Sequence, residues 1–566
     1  MTDDAILSFF IFIPLAGALL SWVAPDRARI QKAISTSSAT LLLVAATVFL
    51  AWAISAHRAG FLLRERIPLD SEWGISWHLG IDGLSAALIF LSALVQWVAS
   101  VASAPQTRMR AYHSLLQLLF VGVYGSFLVL DMVFFYVFWE IMLVPMFLLI
   151  AIWGGDDRKR AAAKFFLYTM GGSMALLFAI FLLRVEIPER GVIVPVRTAE
   201  VVEQMEIGPR GEALLYDLPV LSIDSLGRPA PAVAAEVDAG RSNHLVVPVM
   251  RSFDLLQWKL LAPFWARQSV LGMALAPLCL GLFFVAFAVK IPSFPFHAWL
   301  PHAHVQAPTA ISVVLAGILL KLGVYGLLRV AWPLFPTAVL ANAGFFAWIG
   351  AISIVWGGFA ALGQKDLKRM VAYSSISHMG FCVLGLASAT VMGISGAAFQ
   401  SVSHGLSASL LFLLVGVLYD RAHHRRVDGF GGLVQIMPRF AAFFLFSAMV
   451  GVGLPGLSGF VGELSSLLGA WANAASRVAG WVSATGVILS AAYLLWAVQR
   501  ILYGPVRHPE QRIFPDLTWT ETMTLAPLAG LSLLLGVWPG LLQAALGPVS
   551  ASLASHIAWA QGLVRP

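Results

Sequence analysis

Thr309-Ala-Ile-Ser-Val-Val-Leu-Ala-Gly-Ile-Leu-Leu-Lys321-Leu-Gly-Val-Tyr-Gly326 places a single lysine between two apolar half-segments. At about 1.5 Å per residue, Lys321 sits roughly 18 Å into such a helix, too deep for its side chain to reach water. A charge at that depth in hydrocarbon costs about 2.5–3.5 kcal/mol or more, which makes it a functional candidate by default. The structural alternative is a lysine paired with a helix end.

Working outward, the rest of the chain has the same character. Of 566 residues, 59% are hydrophobic and only 11% are charged, against roughly 25% charged in a soluble domain. That leaves too little polar surface to cover a soluble core. The apolar residues come in blocks of about 20, the length a helix needs to cross a bilayer, whereas a barrel would alternate in short segments. The chain is therefore predicted to be an all-α polytopic membrane protein. We expect about fourteen spans, near 5–24, 31–54, 83–104, 110–129, 131–153, 164–184, 269–291, 309–331, 338–362, 370–389, 392–418, 440–472, 478–502 and 522–543.

Loop charge orients the spans. Basic residues concentrate in alternate loops: Arg27, Arg29 and Lys32; Arg108 and Arg110; Arg158, Lys159, Arg160 and Lys164; Lys365, Lys368 and Arg369; Arg421, Arg425, Arg426 and Arg439; Arg500, Arg507 and Arg512. The positive-inside rule puts these loops in the cytoplasm and both termini outside. The same placement makes the net charge of +7 an anchoring device and argues against a nucleic-acid surface. The acidic start, Met1-Thr-Asp-Asp, reads as a retained span and not a cleaved leader. Two segments interrupt the spans. Residues 55–82 read as a small structured external loop. Residues 185–268 form an extracytoplasmic insert with β-like runs at Val192–Val196 and Leu245–Val249, ending in an amphipathic stretch, Phe253–Leu261, suited to the membrane surface.

Five more ionisable residues fall at membrane depth. Glu140, in Phe134-Phe-Tyr-Val-Phe-Trp-Glu140, needs a cation or a proton. Glu463 follows Gly453-Leu-Pro-Gly-Leu-Ser-Gly-Phe-Val-Gly462, an interruption of the kind tolerated only inside protein or beside a wet cavity. His378 and His404 suit a proton relay near neutral pH, or are satisfied packing residues. Lys290 precedes Ile291-Pro-Ser-Phe-Pro295. Either it reaches water at a span's end, or the prolines break a helix that continues. Cys279 and Cys382 lie in apolar stretches, with no C-x-x-C to hold a cluster or zinc. Gly451-Val-Gly-Leu-Pro-Gly456 matches a dinucleotide fingerprint in letters but lacks the strand–helix context. His297, His302 and His304 lack the spacing of a metal site.

Several stretches resemble the antiporter-like subunits of proton-pumping NADH:quinone oxidoreductase (respiratory complex I), relatives of multisubunit cation/proton antiporter subunits. They are Phe138-Trp-Glu140, Ala288-Val-Lys290-Ile-Pro, Phe296-His-Ala-Trp-Leu-Pro-His-Ala-His304, Gln306-Ala-Pro-Thr-Ala310, Leu319-Leu-Lys321, Ala372-Tyr-Ser-Ser-Ile-Ser-His378 and Leu454-Pro-Gly456. The resemblance implies two inverted five-helix repeats, each with a broken helix. The expected layout is three spans in 1–109, a first repeat in 110–331 holding the insert 185–268, a second repeat in 338–502, and a last span in 503–566. It also implies that Lys290 is the charge at the first break and Glu463 its counterpart at the second, where relatives carry either glutamate or lysine. The long lateral helix of chain L is not expected.

By the same resemblance, protons pass Glu140, Lys290, Lys321, His378, His404 and Glu463. No cofactor is expected in this chain. FMN, iron–sulfur clusters and quinone would belong to partner subunits, with the antiporter-like chains L and N as membrane neighbours in a bacterial inner membrane. The alternatives are a subunit of a cation/proton antiporter or of a hydrogenase-type complex.

Overall fold

The computed structural model describes residues 6–187 apart from 71, 104 and 106, four short strands between 192 and 247, and residues 252–564. Each of the fourteen predicted spans finds a helix. Eleven are long apolar helices, and Phe9–Val23, Leu275–Lys290 and Pro438–Val452 are shorter ones. Short polar side chains start many of them by accepting from unpaired backbone N–H groups. Asp82 accepts from Ser85, Asp131 from Val133 and Phe134, Asp366 from Arg369, and Thr390 from Gly393. Thr518 and Glu521 form a reciprocal capping box.

Packing sorts the spans into an inner group and an outer ring. Thr309–Leu334 and Val391–Ala422 are buried along their whole apolar lengths, and Leu367–Ala387 nearly so. The ring spans Ala28–Ala56, Arg158–Val185 and Arg477–Leu502 expose Val44, Val48, Leu167, Phe178, Trp481 and Ile488, as lipid-facing helices must.

Two helices break at depth. Leu275–Lys290 stops at Ile291 and resumes as a 3-10 turn, Phe296–Trp299, and a helix, Leu300–Gln306. Of the two readings of Lys290, the second holds: the prolines interrupt a helix that continues, and Lys290 is 4% exposed. In the second case Pro438–Val452 ends at Gly453, whose φ of +77° favours glycine, and Gly456 at +90° turns the chain into Ser458–Ala472. Thr309–Leu334 adds two π-helical turns, Leu315–Leu319 and Leu327–Ala331, a feature frequent at functional sites.

One face of the bundle carries the loop 55–82, folded as an antiparallel hairpin of β1 (Leu63–Asp70) and β2 (Ile75–Ile81). In the insert, Val192–Pro195 pairs with His244–Val247 near the β-like runs read from sequence; most of 188–251 lies outside the described residues. The amphipathic stretch forms the short helix Leu255–Leu260. Its apolar side is buried in protein instead of lying on lipid, because its Asp254 cap is held by His78 of β2 at 2.6 Å.

A further helix, Gly540–Val564, follows the last predicted span. Its length and composition would let it cross a membrane. Its partners give it another course. His57 bonds Ala544 O, Ser395 bonds Gln543, Ala545 packs on Gly83, and His556 bonds Pro333 O. These are the ends of four spans, so the helix lies across the hairpin face. The expectation that the chain finishes with its fourteenth span is corrected accordingly.

Candidate functional site

The three innermost helices and Ser458–Ala472 bring four of the buried titratable residues together. Lys321 is fully buried, and its Nζ lies 2.7 Å from His404 Nδ1. The ammonium also donates to Ala316 O, a carbonyl within the first π turn. The His404 ring centroid is 5.8 Å from that of His378. His378 Nδ1 is 2.6 Å from Glu463 Oε1, and its Nε2 is 3.3 Å from Tyr493 Oη. Gln400, one turn before His404, donates to Glu463 at 3.2 Å. Lys321, His404, His378 and Glu463 thus form one line of titratable side chains, each 6% exposed or less.

Glu140 and Lys290 form a second grouping. The Lys290 Nζ rests 4.9 Å from the centroid of the Trp139 ring, a contact worth about 2 kcal/mol when desolvated. Lys290 is also the last residue of its half-helix, where the helix dipole favours a cation. Glu140, the residue after Trp139, is only partly buried and acts on Lys290 through space, without a direct ion pair. Lys290 and Lys321 are on packed helices, joined where Gly323 meets Ile291 N and Phe287 O, and no hydrogen bond bridges their side chains among the described residues.

Some polar residues of the site escape a reading of the sequence. Tyr493 and Gln400 are neutral, and nothing in an apolar window flags them. Lys368, which reads as a loop anchor, is 5% exposed and donates to Ala307 O at 2.5 Å. The carbonyls that end the helix Leu300–Gln306 draw it inward. The three histidines near the first break have separate surroundings. His297 accepts from Trp356 Nε1 at 3.0 Å, and His304 stacks on Phe412 at 4.3 Å.

Residues 130–186 and 256–490 match the family described as NADH:quinone oxidoreductase/Mrp antiporter, TM. NADH-quinone oxidoreductase subunit M of Rhodobacter capsulatus is 37% identical, over 97% of this chain and 96% of its own length. The chain belongs to this antiporter-like family. Another such relative, NADH-quinone oxidoreductase subunit M of Pseudomonas aeruginosa, is 35% identical over 94% of both chains. A chain of respiratory complex I from Thermus thermophilus superimposes with a TM-score of 0.78 at 27% identity, covering 98% of this chain and 99% of that one. A chain of the Mrp complex from Dietzia gives a TM-score of 0.76 over 100% of both chains, but at 19% identity it speaks for the fold alone. The two stretches matched by the antiporter-like family flank most of the insert, which the family pattern leaves out.

Proposed function

We propose that this chain carries protons across the membrane as the M-type antiporter-like subunit of an NADH:quinone oxidoreductase. The observation that carries the reading is the line Lys321–His404–His378–Glu463, with its 2.7 and 2.6 Å contacts, drawn from four helices of which the first three are buried almost throughout. Every member of it carries a titratable group within reach of the next. The antiporter alternative rests on a 19% identical fold match, whereas the curated relatives near 35% identity are M subunits of the quinone oxidoreductase.

Glu140 and Lys290 act as the loading pair. With the carboxylate charged and near, the ammonium is favoured; with it neutralised or withdrawn, burial drives the proton off. The proton then passes through Lys321, with His404 and His378, to Glu463. Moving one charge against the membrane potential takes about 2.3 kcal/mol per 100 mV, so the drive comes from electron transfer in partner subunits that hold FMN, iron–sulfur clusters and quinone. The antiporter-like chains L and N are the proposed membrane neighbours, in a bacterial inner membrane. The hairpin face is extracytoplasmic, the basic loops are cytoplasmic, and both termini lie outside. The spans fall into repeats at 110–331 and 338–502.

The test is the assembled complex in proteoliposomes. Lys321→Met should abolish NADH-driven proton translocation by this subunit while the complex still co-purifies intact. Unchanged translocation per electron would overturn the reading.

A further inference from the structure

The helix that carries Lys321 leads on, at four-residue steps along one face, to Tyr325 and Arg329. Beyond Arg329, a cavity of about 90 Å³ opens on the hairpin face, lined by Asp82, Arg329, Leu328 and Ile394 among others. This column leads from Lys321 toward that face, roughly 12 Å along the helix.

The bonds along the column run the wrong way for a proton wire. Tyr325 is 1% exposed, and its hydroxyl donates to Phe127 O at 2.9 Å, a carbonyl that hands the proton nowhere further. The same hydroxyl accepts from Arg329 Nε at 3.3 Å and stands 3.4 Å from Ser85 Oγ, which itself accepts from Arg329 Nη2 at 3.4 Å, so the cation faces both hydroxyls. Arg329 never releases its proton in a protein. Its Nη2 is 2.5 Å from Asp82 Oδ2, and the pair is nearly closed to solvent. Asp82 Oδ1 is already engaged as the cap of Gly83–Ala102. The guanidinium is further held over the Phe61 and Tyr325 rings, at 5.3 and 5.5 Å. A proton leaving Lys321 in this direction therefore meets a hydroxyl facing a cation, then a permanent positive charge. Fixed arginines exclude protons from other pores by the same means.

We propose that the Arg329–Asp82 pair, with Tyr325, is a barrier that closes the direct route from Lys321 to the hairpin face, so that protons travel sideways through His404 and His378 to Glu463. Arg329 and Asp82 are positioning residues here: they set direction and carry no proton. The proposal rests on Lys321 being part of the proton path, as argued above.

The test measures passive leak without NADH, using the whole complex in proteoliposomes, an imposed pH step and an entrapped pH dye. Asp82→Asn with Arg329→Gln removes the charges without orphaning either one, and should raise the leak several-fold. Arg329→Lys keeps a cation and should leak as the wild type does. Adding Lys321→Met to the double variant should return the leak to the wild-type rate. Should the double variant fail to co-purify with its partner subunits, Arg329→Gln alone serves. A wild-type leak in an assembled charge-free variant overturns the barrier, and so does a leak that survives Lys321→Met. Neither result bears on whether Lys321→Met abolishes NADH-driven pumping, so the two readings fail separately.

Discussion

The two broken helices hold their charges in opposite ways. At the first break, Lys290 ends a half-helix, lies on the Trp139 face and meets Glu140 only through space. At the second, Glu463 is the sixth residue of its half-helix, past the reach of the terminal dipole, and is tied directly to His378 and Gln400. A pair without a bond changes its interaction with a small displacement. A pair with a 2.6 Å bond hands a proton over but does not switch easily. On the proposed function, the first break is the candidate for the variable element and the second for the conducting one.

The largest effect that would break this contrast comes from the loose pair. Glu140→Gln and Lys290→Ala should each abolish NADH-driven proton translocation in proteoliposomes; normal pumping with either change removes the first break from the mechanism. Glu463→Gln keeps the shape and one acceptor but loses the charge. Charge-assisted hydrogen bonds are worth about 1.5–3 kcal/mol, so translocation should fall by roughly ten- to a hundredfold. A loss as complete as that of Lys290→Ala would erase the distinction between switching and conducting. Trp139→Leu removes a desolvated contact worth about 2 kcal/mol and should slow pumping by up to roughly thirtyfold, as read from initial rates.

The smallest effect belongs to the hairpin face. Asp254→Asn should loosen β1 and β2, seen as faster amide exchange there, and leave pumping unchanged. Burial, the largest influence, would raise the Asp254 carboxyl, but His78 together with Arg66 and the Gln257 backbone N–H holds it below the ordinary carboxylate range. The sign follows. The stability that this carboxylate contributes is present above its unfolded value of about 4 and is lost as pH falls through the lower folded value. Protection of the hairpin amides, taken relative to their intrinsic exchange rate at each pH, should accordingly fall on acidification.

Much of this molecule was legible in advance because a bilayer is a demanding solvent. Hydrocarbon sets the length of each span, and a lysine such as Lys321 stands out where every neighbour is apolar. The missing parts share a physical cause: hydropathy measures transfer from water, not the identity of the neighbour. Gly540–Val564 has the composition of a span but lies across the bundle, because its partners are the ends of other helices. Lys368 has the look of a loop anchor and is drawn inside by the carbonyl of Ala307. Arg329 and Asp82 stand near span ends far apart in sequence, and only packing brings them to 2.5 Å. Nor does sequence rank Thr309–Leu334 above its neighbours, since inner and outer spans are equally apolar; only packing separates them.

The crosswise helix has a mechanical consequence. By binding the ends of four spans, Gly540–Val564 acts as a strap around one rim of the bundle. At the opposite rim the ties are side-chain contacts: Arg425 joins Asp366 and Val305 O, and Arg421 joins Glu521 and Asp516 O. One helix thus fixes the spacing of four span ends at once, a restraint that separate side-chain contacts supply piece by piece at the other rim.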